Sequence, residues 1–213
     1  MTVPANLIAP MIWTRIKSFP KLDAVVSGNE TVTTTSHVIP LPTAIPGKKI
    51  TVAIEFTSAS TITIPPGWTV VYNTSNRAFI WKMSDGSETS VTITTSAAVI
   101  AAYVAGRWTN AGLIVSSTEA TGSASVSDPP NFNPGAGVKK FTWIAYGSMT
   151  LQLTGAPTGY GNFYGPYYIS GPTRACMGFA TKDVEASSED PGVFSASGTS
   201  TWQARTIAVY PEY

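Results

Sequence analysis

The chain carries an internal repeat, and this repeat limits the folds it can adopt more than any other feature. Residues 47–68, GKKITVAIEFTSASTITIPPGW, correspond to residues 137–160, GVKKFTWIAYGSMTLQLTGAPTGY. The correspondence continues between NRAFIWKM at 76–83 and TRACMGFA at 173–180, and between SETSVTITTSA at 87–97 and SEDPGVFSASG at 188–198. Because an internal period of this kind indicates a duplicated supersecondary unit, we predict two homologous repeats of about 90 residues each.

The composition and the periodicity favour strands. Charged residues make up only 12% of the chain, and the periodic segments are filled by Val, Ile, Thr and aromatic residues, which suit a pleated sheet. Residues 50–56 alternate apolar side chains with Thr51, Ala53 and Glu55, which is the pattern of a half-buried strand. Short strands separated by Gly and Pro turns predict an all-β, antiparallel β-sandwich or jelly-roll-like fold. The repeats form either two stacked small sandwiches or one larger sandwich.

Three segments are expected along the chain: an N-terminal docking arm at 1–27, a first repeat at 28–110 and a second repeat at 111–213. The second repeat either stands alone or forms one compact unit with the first. The arm has no counterpart before the second repeat, and it is too apolar to remain in water as a loose tail. It packs either on its own domain or on a neighbouring subunit. The apolar side chains that we expect to dock are Leu7, Ile8, Met11, Ile12 and Trp13.

Several function classes are disfavoured. The net charge is +1 and the basic residues are scattered along the chain, so nucleic acid is not an expected partner. The one histidine, His37, has no motif companion for a catalytic triad or a metal site. No run of eighteen apolar residues exists, so we expect no membrane span. We therefore expect a protein that is not an enzyme and that has no cofactor and no metal.

The acidic residues near the end of the second repeat are Asp183, Glu185, Glu189 and Asp190. Oxygen-rich loops can hold calcium and paired carboxylates can hydrolyse glycosides, but the spacing matches no calcium loop. We interpret the acidic residues as a solvated turn between strands.

An inserted aromatic loop in the second repeat is the main candidate for a binding surface. Between matched positions the first repeat has eight residues and the second has thirteen, GNFYGPYYISGPT. The aromatic residues concerned are Tyr160, Phe163, Tyr164, Tyr167 and Tyr168. Such rings offer a large contact area at low entropic cost. Three interpretations are open: local core, a subunit interface, or a platform for a host glycan or receptor.

Several segments together resemble known proteins. They are PPGWTVV, SDGSETSVTIT, DPPNFNP, KKFTWIAYG, APTGYGNF and EASSEDPGVFSASGTSTWQARTIAVYP. As a set they resemble small structural proteins and modules encoded by tailed bacteriophages and prophages, over about residues 38–213.

The resemblance implies a β-sandwich virion component, and it carries no catalytic motif. The expected role is that of a tail-associated or fibre/spike protein, with capsid decoration or host-surface glycan binding as alternatives. The expected partners are other virion proteins, namely tail, portal-proximal or capsid subunits. Further copies of the chain in a symmetric homo-oligomer are also expected, and the expected location is the virion.

Overall fold

The structure is a computed structural model that describes residues 18–169 and 175–212. All strand pairings within these residues are antiparallel, so the predicted all-β antiparallel class is confirmed. Within the same residues, no helix has the length and apolarity needed to cross a membrane.

The strands fall into two halves that follow one another along the chain. The first half, residues 21–109, contains β1 Lys21–Asn29, β2 Thr34–Pro40, β3 Lys49–Phe56, β4 Ile62–Thr63, β5 Thr69–Asn73, β6 Arg77–Met83, β7 Ser90–Val99 and β8 Ala101–Thr109. The described part of the second half, residues 111–169 and 175–211, contains β9 Ala111–Ser116, β10 Ala120–Ser127, β11 Lys139–Met149, β12 Leu153–Gly155, β13 Gly161–Ile169, β14 Ala175–Ala186 and β15 Phe194–Pro211.

The two halves have the same order of strand pairing. In the first half a large sheet, β1-β8-β3-β6-β5, lies over a small sheet, β2-β7-β4. In the second half the order β9-β15-β11-β14-β13 repeats the large sheet, and β10 and β12 flank the first part of β15 as β2 and β4 flank β7. The matched turns Pro66-Gly67-Trp68 and Pro157-Thr158-Gly159-Tyr160 agree, because Gly67 and Gly159 have φ values of 85° and 80°, a region that glycine enters without strain. Common ancestry of the halves remains a prediction.

Each half encloses its own core, and a third core lies where the halves meet. The first core contains Ile39, Leu41, Ile50, Val52, Ile54, Phe56, Ile62, Ala78, Ile80, Val91, Ile93, Val99, Ala101 and Ala105. The second core contains Phe141, Trp143, Ala145, Met149, Leu153, Tyr160, Cys176, Ala180, Phe194, Ala208 and Tyr210. The central core contains Ala53, Tyr72, Phe79, Ala102, Val104, Trp108, Ala111, Ile114, Ile144, Tyr146, Met177, Phe179, Ile207 and Val209. The molecule is therefore a pair of stacked sandwiches whose large sheets face each other.

This stacking corrects the prediction for β3. The alternation at 50–56 predicted a strand with one face in water, but every residue of β3 is buried. Ile50, Val52 and Ile54 face the first core, whereas Ala53 faces the central core. A single repeat cannot reveal that the face carrying Thr51, Ala53 and Glu55 is covered by the other half.

The edge strands of all sheets are irregular or very short. Register shifts interrupt the pairings of β1, β2, β5, β9, β10 and β13, while β4 has two residues and β12 has three. Such edges are poor templates for adding a strand from another chain. Edge-to-edge pairing is thus disfavoured around the described part of the molecule.

The boundary predicted between the arm and the first repeat needs correction. β1 starts at Lys21, pairs with β8 from Lys21↔Thr109 to Asn29↔Ala102, and forms an edge of the first large sheet. Residues 21–27 therefore belong to the first half rather than to the arm. Their pairing covers the edge of β8, which would otherwise be unpaired. The predicted docking residues Leu7, Ile8, Met11, Ile12 and Trp13 lie outside the described residues.

Candidate functional site

The aromatic segment forms a strand, so the prediction of a loop is wrong. Residues 161–169 form β13, the edge strand that pairs with β14. The insertion is accommodated by two irregularities, at which Asn162 and Gly165 have φ values of 50° and 105°. Bulges of this kind allow extra residues to remain within a sheet.

The aromatic side chains that are described point into cores. Tyr160 is only 9% exposed, and its hydroxyl donates to the Glu189 carboxylate at 3.3 Å. The Lys182 ammonium lies 5.5 Å from the Tyr160 ring centre. Burial, followed by the charge of Glu189, raises the pKa of Tyr160. This ring is a structural part of the second core.

Phe163 and Tyr164 lie on opposite faces of β13. Phe163 packs against Phe194 in the second core at 6.0 Å between ring centres, and Tyr164 packs against Phe179 in the central core at 6.3 Å. The backbones of Tyr167 and Tyr168 pair with Met177 and Cys176, and their side chains lie outside the described residues. Of the three interpretations, the local core fits the described rings.

The acidic residues are engaged separately rather than gathered. Glu189 forms an ion pair with Lys182 at 2.8 Å, and an Asp183 carboxylate oxygen lies 2.6 Å from the Thr142 hydroxyl. Across residues 18–169 and 175–212, no three His, Cys, Asp or Glu side chains come together in a way that could hold a metal ion.

The first half contains a matching ion pair at the equivalent turn. Lys82 and Glu88 approach to 2.6 Å, and Ser84 Oγ donates to Glu88 at 2.7 Å. Partial burial opposes ionisation of Glu88, but the hydrogen bonds from Lys82 and Ser84 outweigh it and lower its pKa to about 2. The lysines at 82 and 182 were missed in the sequence, where only the acidic residues of this turn were matched.

His37 has two partners that the sequence did not reveal. Its Nδ1 lies 2.7 Å from a Glu30 carboxylate oxygen, and its Nε2 lies 3.0 Å from the Thr95 hydroxyl. Carboxylate, imidazole and hydroxyl follow one another as in a catalytic triad. However, His37 is 0% exposed and packs 4.7 Å from the Phe56 ring.

The rest of this chain of hydrogen bonds is structural. The Thr95 hydroxyl donates to the Ala97 carbonyl at 2.8 Å, and Glu30 accepts from the Ala101 backbone N–H at 3.0 Å. Thr95 is itself buried, whereas a nucleophile must meet its substrate. The arrangement ties the turn after β1 to β2 and β7.

A shallow neutral groove lies beside this region. Its volume is about 570 Å³, and hydroxyl and amide side chains line most of it. The Ser60 and Ser96 hydroxyls bond to each other at 3.1 Å, and the Asn73 amide donates to the Ile62 carbonyl at 3.2 Å. Because these side chains already form hydrogen bonds within the protein, the groove offers few polar groups to a ligand.

A polar network joins the two halves at the central core. Glu55 on β3 is 4% exposed and accepts hydrogen bonds from two residues of β11, Tyr146 at 3.0 Å and Ser148. Burial raises the pKa of Glu55, and the positive charge of Arg77 opposes this shift. Burial likewise raises the pKa of Tyr146.

The network continues through a second carboxylate, Glu119, which lies between β9 and β10. Arg77 on β6 approaches Glu119 at 2.8 Å, and Arg205 on β15 approaches the same carboxylate at 3.6 Å. The Arg205 guanidinium also lies 4.5 Å from the centre of the Tyr72 ring on β5. Both halves thus contribute charges to one buried network.

The start of the described chain is fixed where the halves join. The Asn110 side-chain amide donates to the Ser18 carbonyl, to Ser18 Oγ at 3.0 Å and to the Phe19 carbonyl at 3.3 Å. Thr142 Oγ1 lies 2.5 Å from the Pro20 carbonyl and shares its single hydrogen between this carbonyl and Asp183. The Asn110 carbonyl in turn accepts from Glu212 N–H at 2.9 Å. The N-terminal segment, the turn between the halves and the C-terminal strand therefore converge at Asn110.

Comparisons with protein-family models, curated proteins and solved structures found no match to this chain.

Proposed function

We propose that this chain is a non-enzymatic structural component of a tailed-bacteriophage virion, most consistent with a tail-associated or fibre/spike part. In this proposal residues 1–17 dock on another virion subunit, and several copies assemble by symmetry. The resemblance of residues 38–213 to such modules supports the class of protein. The observation that carries the docking role is the anchoring of Ser18, Phe19 and Pro20 by Asn110 and Thr142.

This anchoring bears on docking because it fixes the point at which the arm leaves the body. Asn110 lies in the turn between β8 and β9, and Thr142 belongs to β11, so the turn between the halves and the second half contact the same three residues. An arm attached to a fixed point loses less orientational freedom on binding than one attached to a loose linker.

The remaining sheet surface offers little to a protein partner. The outer face of the first small sheet exposes Ser36, Thr92 and Thr94 around one apolar side chain, Val38. The corresponding face of the second half exposes Thr121 and Ser123. Protein interfaces are depleted in serine and enriched in aromatic residues. Since the edges are also irregular, the apolar arm is the more suitable docking element.

Two observations weigh against the alternatives. The burial of His37 and Thr95 does not favour catalysis by the Glu30–His37–Thr95 chain. Tyr160 is buried in the second core, and Phe163 and Tyr164 are partly buried against the second and central cores, which reduces the ring surface left for a host glycan. Capsid decoration uses the same arm-mediated assembly and differs only in the position on the particle.

Deletion of residues 1–17 tests the docking role. We expect the truncated protein to fold with an unchanged urea midpoint and to be lost from phage particles when it replaces the full chain. The matched control is Asn110→Ala in the full chain, which frees the root of the arm but keeps its apolar side chains. It should reduce incorporation less than the deletion does. Normal incorporation of the truncated protein contradicts the proposal.

A further inference from the structure

The contact between the two halves combines an apolar core with the polar network, and these parts act differently. Apolar contact is non-directional and tolerates sliding of one sheet over another. Hydrogen bonds and ion pairs with defined partners fix one arrangement. The network therefore has a role that the central core cannot perform alone.

Glu55 ties the large sheets at a single position. It extends from β3 of the first half and accepts hydrogen bonds from Tyr146 and Ser148, two residues apart on β11. A shift of β11 by one residue would turn these hydroxyls to the other face of the sheet. The carboxylate would then be buried without partners, which is costly.

Glu119 ties the halves at a second position. It bridges Arg77 of the first half and Arg205 of the second, at 2.8 Å and 3.6 Å. Arg77 is 2% exposed. Loss of Glu119 would therefore leave the buried positive charge of the Arg77 guanidinium without its ion-pair partner. Breaking a buried pair by removing one partner is strongly destabilising for that reason.

We propose that Glu55 and Glu119 together form a lock between the halves, so that the two sandwiches unfold as one cooperative unit. Removal of the lock uncouples them, and each sandwich then unfolds at its own urea concentration. This inference does not depend on the proposed virion role, because it concerns the isolated full chain.

Fluorine NMR of the full chain labelled with 5-fluorotryptophan tests the lock. Trp81 and Trp108 contact the central core and report on the contact between the halves. Trp68 packs against the first core and reports on the first half, while Trp143 and Trp202 contact the second core and report on the second half. In the unsubstituted protein both groups of signals should lose their native intensity at the same urea concentration. In Glu119→Ala the two groups should separate into two transitions.

The matched control is Asp23→Asn. It breaks the Arg107–Asp23 ion pair, whose 2.8 Å contact lies wholly within the first half. This variant should keep the two groups of signals together. If Glu119→Ala does not fold, Glu119→Gln and Tyr146→Phe remove single contacts of the lock, and each should separate the transitions by a smaller interval.

Three results overturn the proposal. Separate transitions in the unsubstituted protein would show that the halves are not coupled. Coincident transitions in every lock variant would assign the coupling to the apolar core. If the two urea transitions separate as far in Asp23→Asn as in Glu119→Ala, any loss of stability is enough to uncouple the halves.

Discussion

The two halves share one strand order but fill it with different side chains. The match of 76–83 with 173–180 made in the sequence is three residues out of register, because the recurring ion pair places Lys182 at the position of Lys82. In the corrected register, the neighbours Ile54 and Ala78 correspond to Gly147 and Gly178 of the second half. The first core is mainly aliphatic, whereas the second is rich in rings. The same topology therefore tolerates either set of core side chains if neighbouring positions compensate in volume.

The compensation is visible around Phe194. A methyl group added at Gly147 would lie 2.7 Å from a Phe194 ring carbon, and one at Gly178 would lie 3.2 Å from another carbon of this ring and 2.8 Å from Leu153. Protein interiors are packed as densely as organic crystals, so the large ring requires the two glycines. In the first half the small sheet contributes Ile93 to the first core, and the facing strands carry larger side chains.

The largest expected effect is that of removing the ring. Phe194→Ala should lower the free energy of unfolding by about 3–5 kcal/mol, because it deletes a fully buried phenyl group and leaves a cavity. The matched substitution Ile93→Ala in the first half should cost about 2–4 kcal/mol. Urea unfolding measures both. A smaller loss for Phe194→Ala than for Ile93→Ala would show that the ring is not the main stabilising side chain of the second core.

Overpacking beside the ring should have the next largest effect. Gly147→Ala should destabilise the protein by about 1–3 kcal/mol, because the added methyl group meets Phe194. In the double variant Gly147→Ala with Phe194→Ala, the cost of the Gly147 substitution should largely disappear. A double-mutant cycle on unfolding free energies measures this coupling, and additive costs contradict the compensation.

The first half differs again in its buried histidine. His37→Gln should lower stability by about 1–3 kcal/mol, since Glu30 and Thr95 lose a shared partner inside the sandwich. Thr95→Val removes one of these contacts and should cost less. Thermal unfolding measures the loss of stability in both variants. A larger loss for Thr95→Val than for His37→Gln would show that His37 is not the residue that connects Glu30 with Thr95.

The smallest effect concerns the ion pair of the first half. The pKa of Glu88 is lowered from its ordinary value of 4.5 to about 2, because the hydrogen bonds from Lys82 and Ser84 outweigh the effect of burial. Its stabilising contribution is therefore fully present above pH 4.5 and is lost as the pH falls toward 2. Glu88→Gln should flatten this part of the curve of stability against pH. An unchanged slope between pH 4.5 and 2 shows that another group is responsible.

The sequence predicted the strand class because alternation and turn residues are local signals. It also matched the turns at Trp68 and Tyr160, since both need glycine at the same place. It did not predict that β3 is buried on both faces or that Tyr160, Phe163 and Tyr164 lie in cores. Those properties depend on contacts between segments far apart in the chain.

The candidate sites were harder to predict for the same reason. His37 lies 58 residues from Thr95 in the sequence, and Glu55 lies 91 residues from Tyr146. No motif links such positions. The recurring Lys82 and Lys182 were a usable signal, because each precedes its acidic partner by six or seven residues.

Imaging of the intact particle tests whether the chain is a virion component that docks through residues 1–17. A reconstruction of phage particles from a host that carries this gene should show paired sandwiches in several symmetric copies. Their Asn110 corner should face the neighbouring virion subunit, and the Ser/Thr-covered small sheets should face solvent. Particles that lack the chain, or copies attached through the small sheets with the Asn110 corner in solvent, would contradict the account.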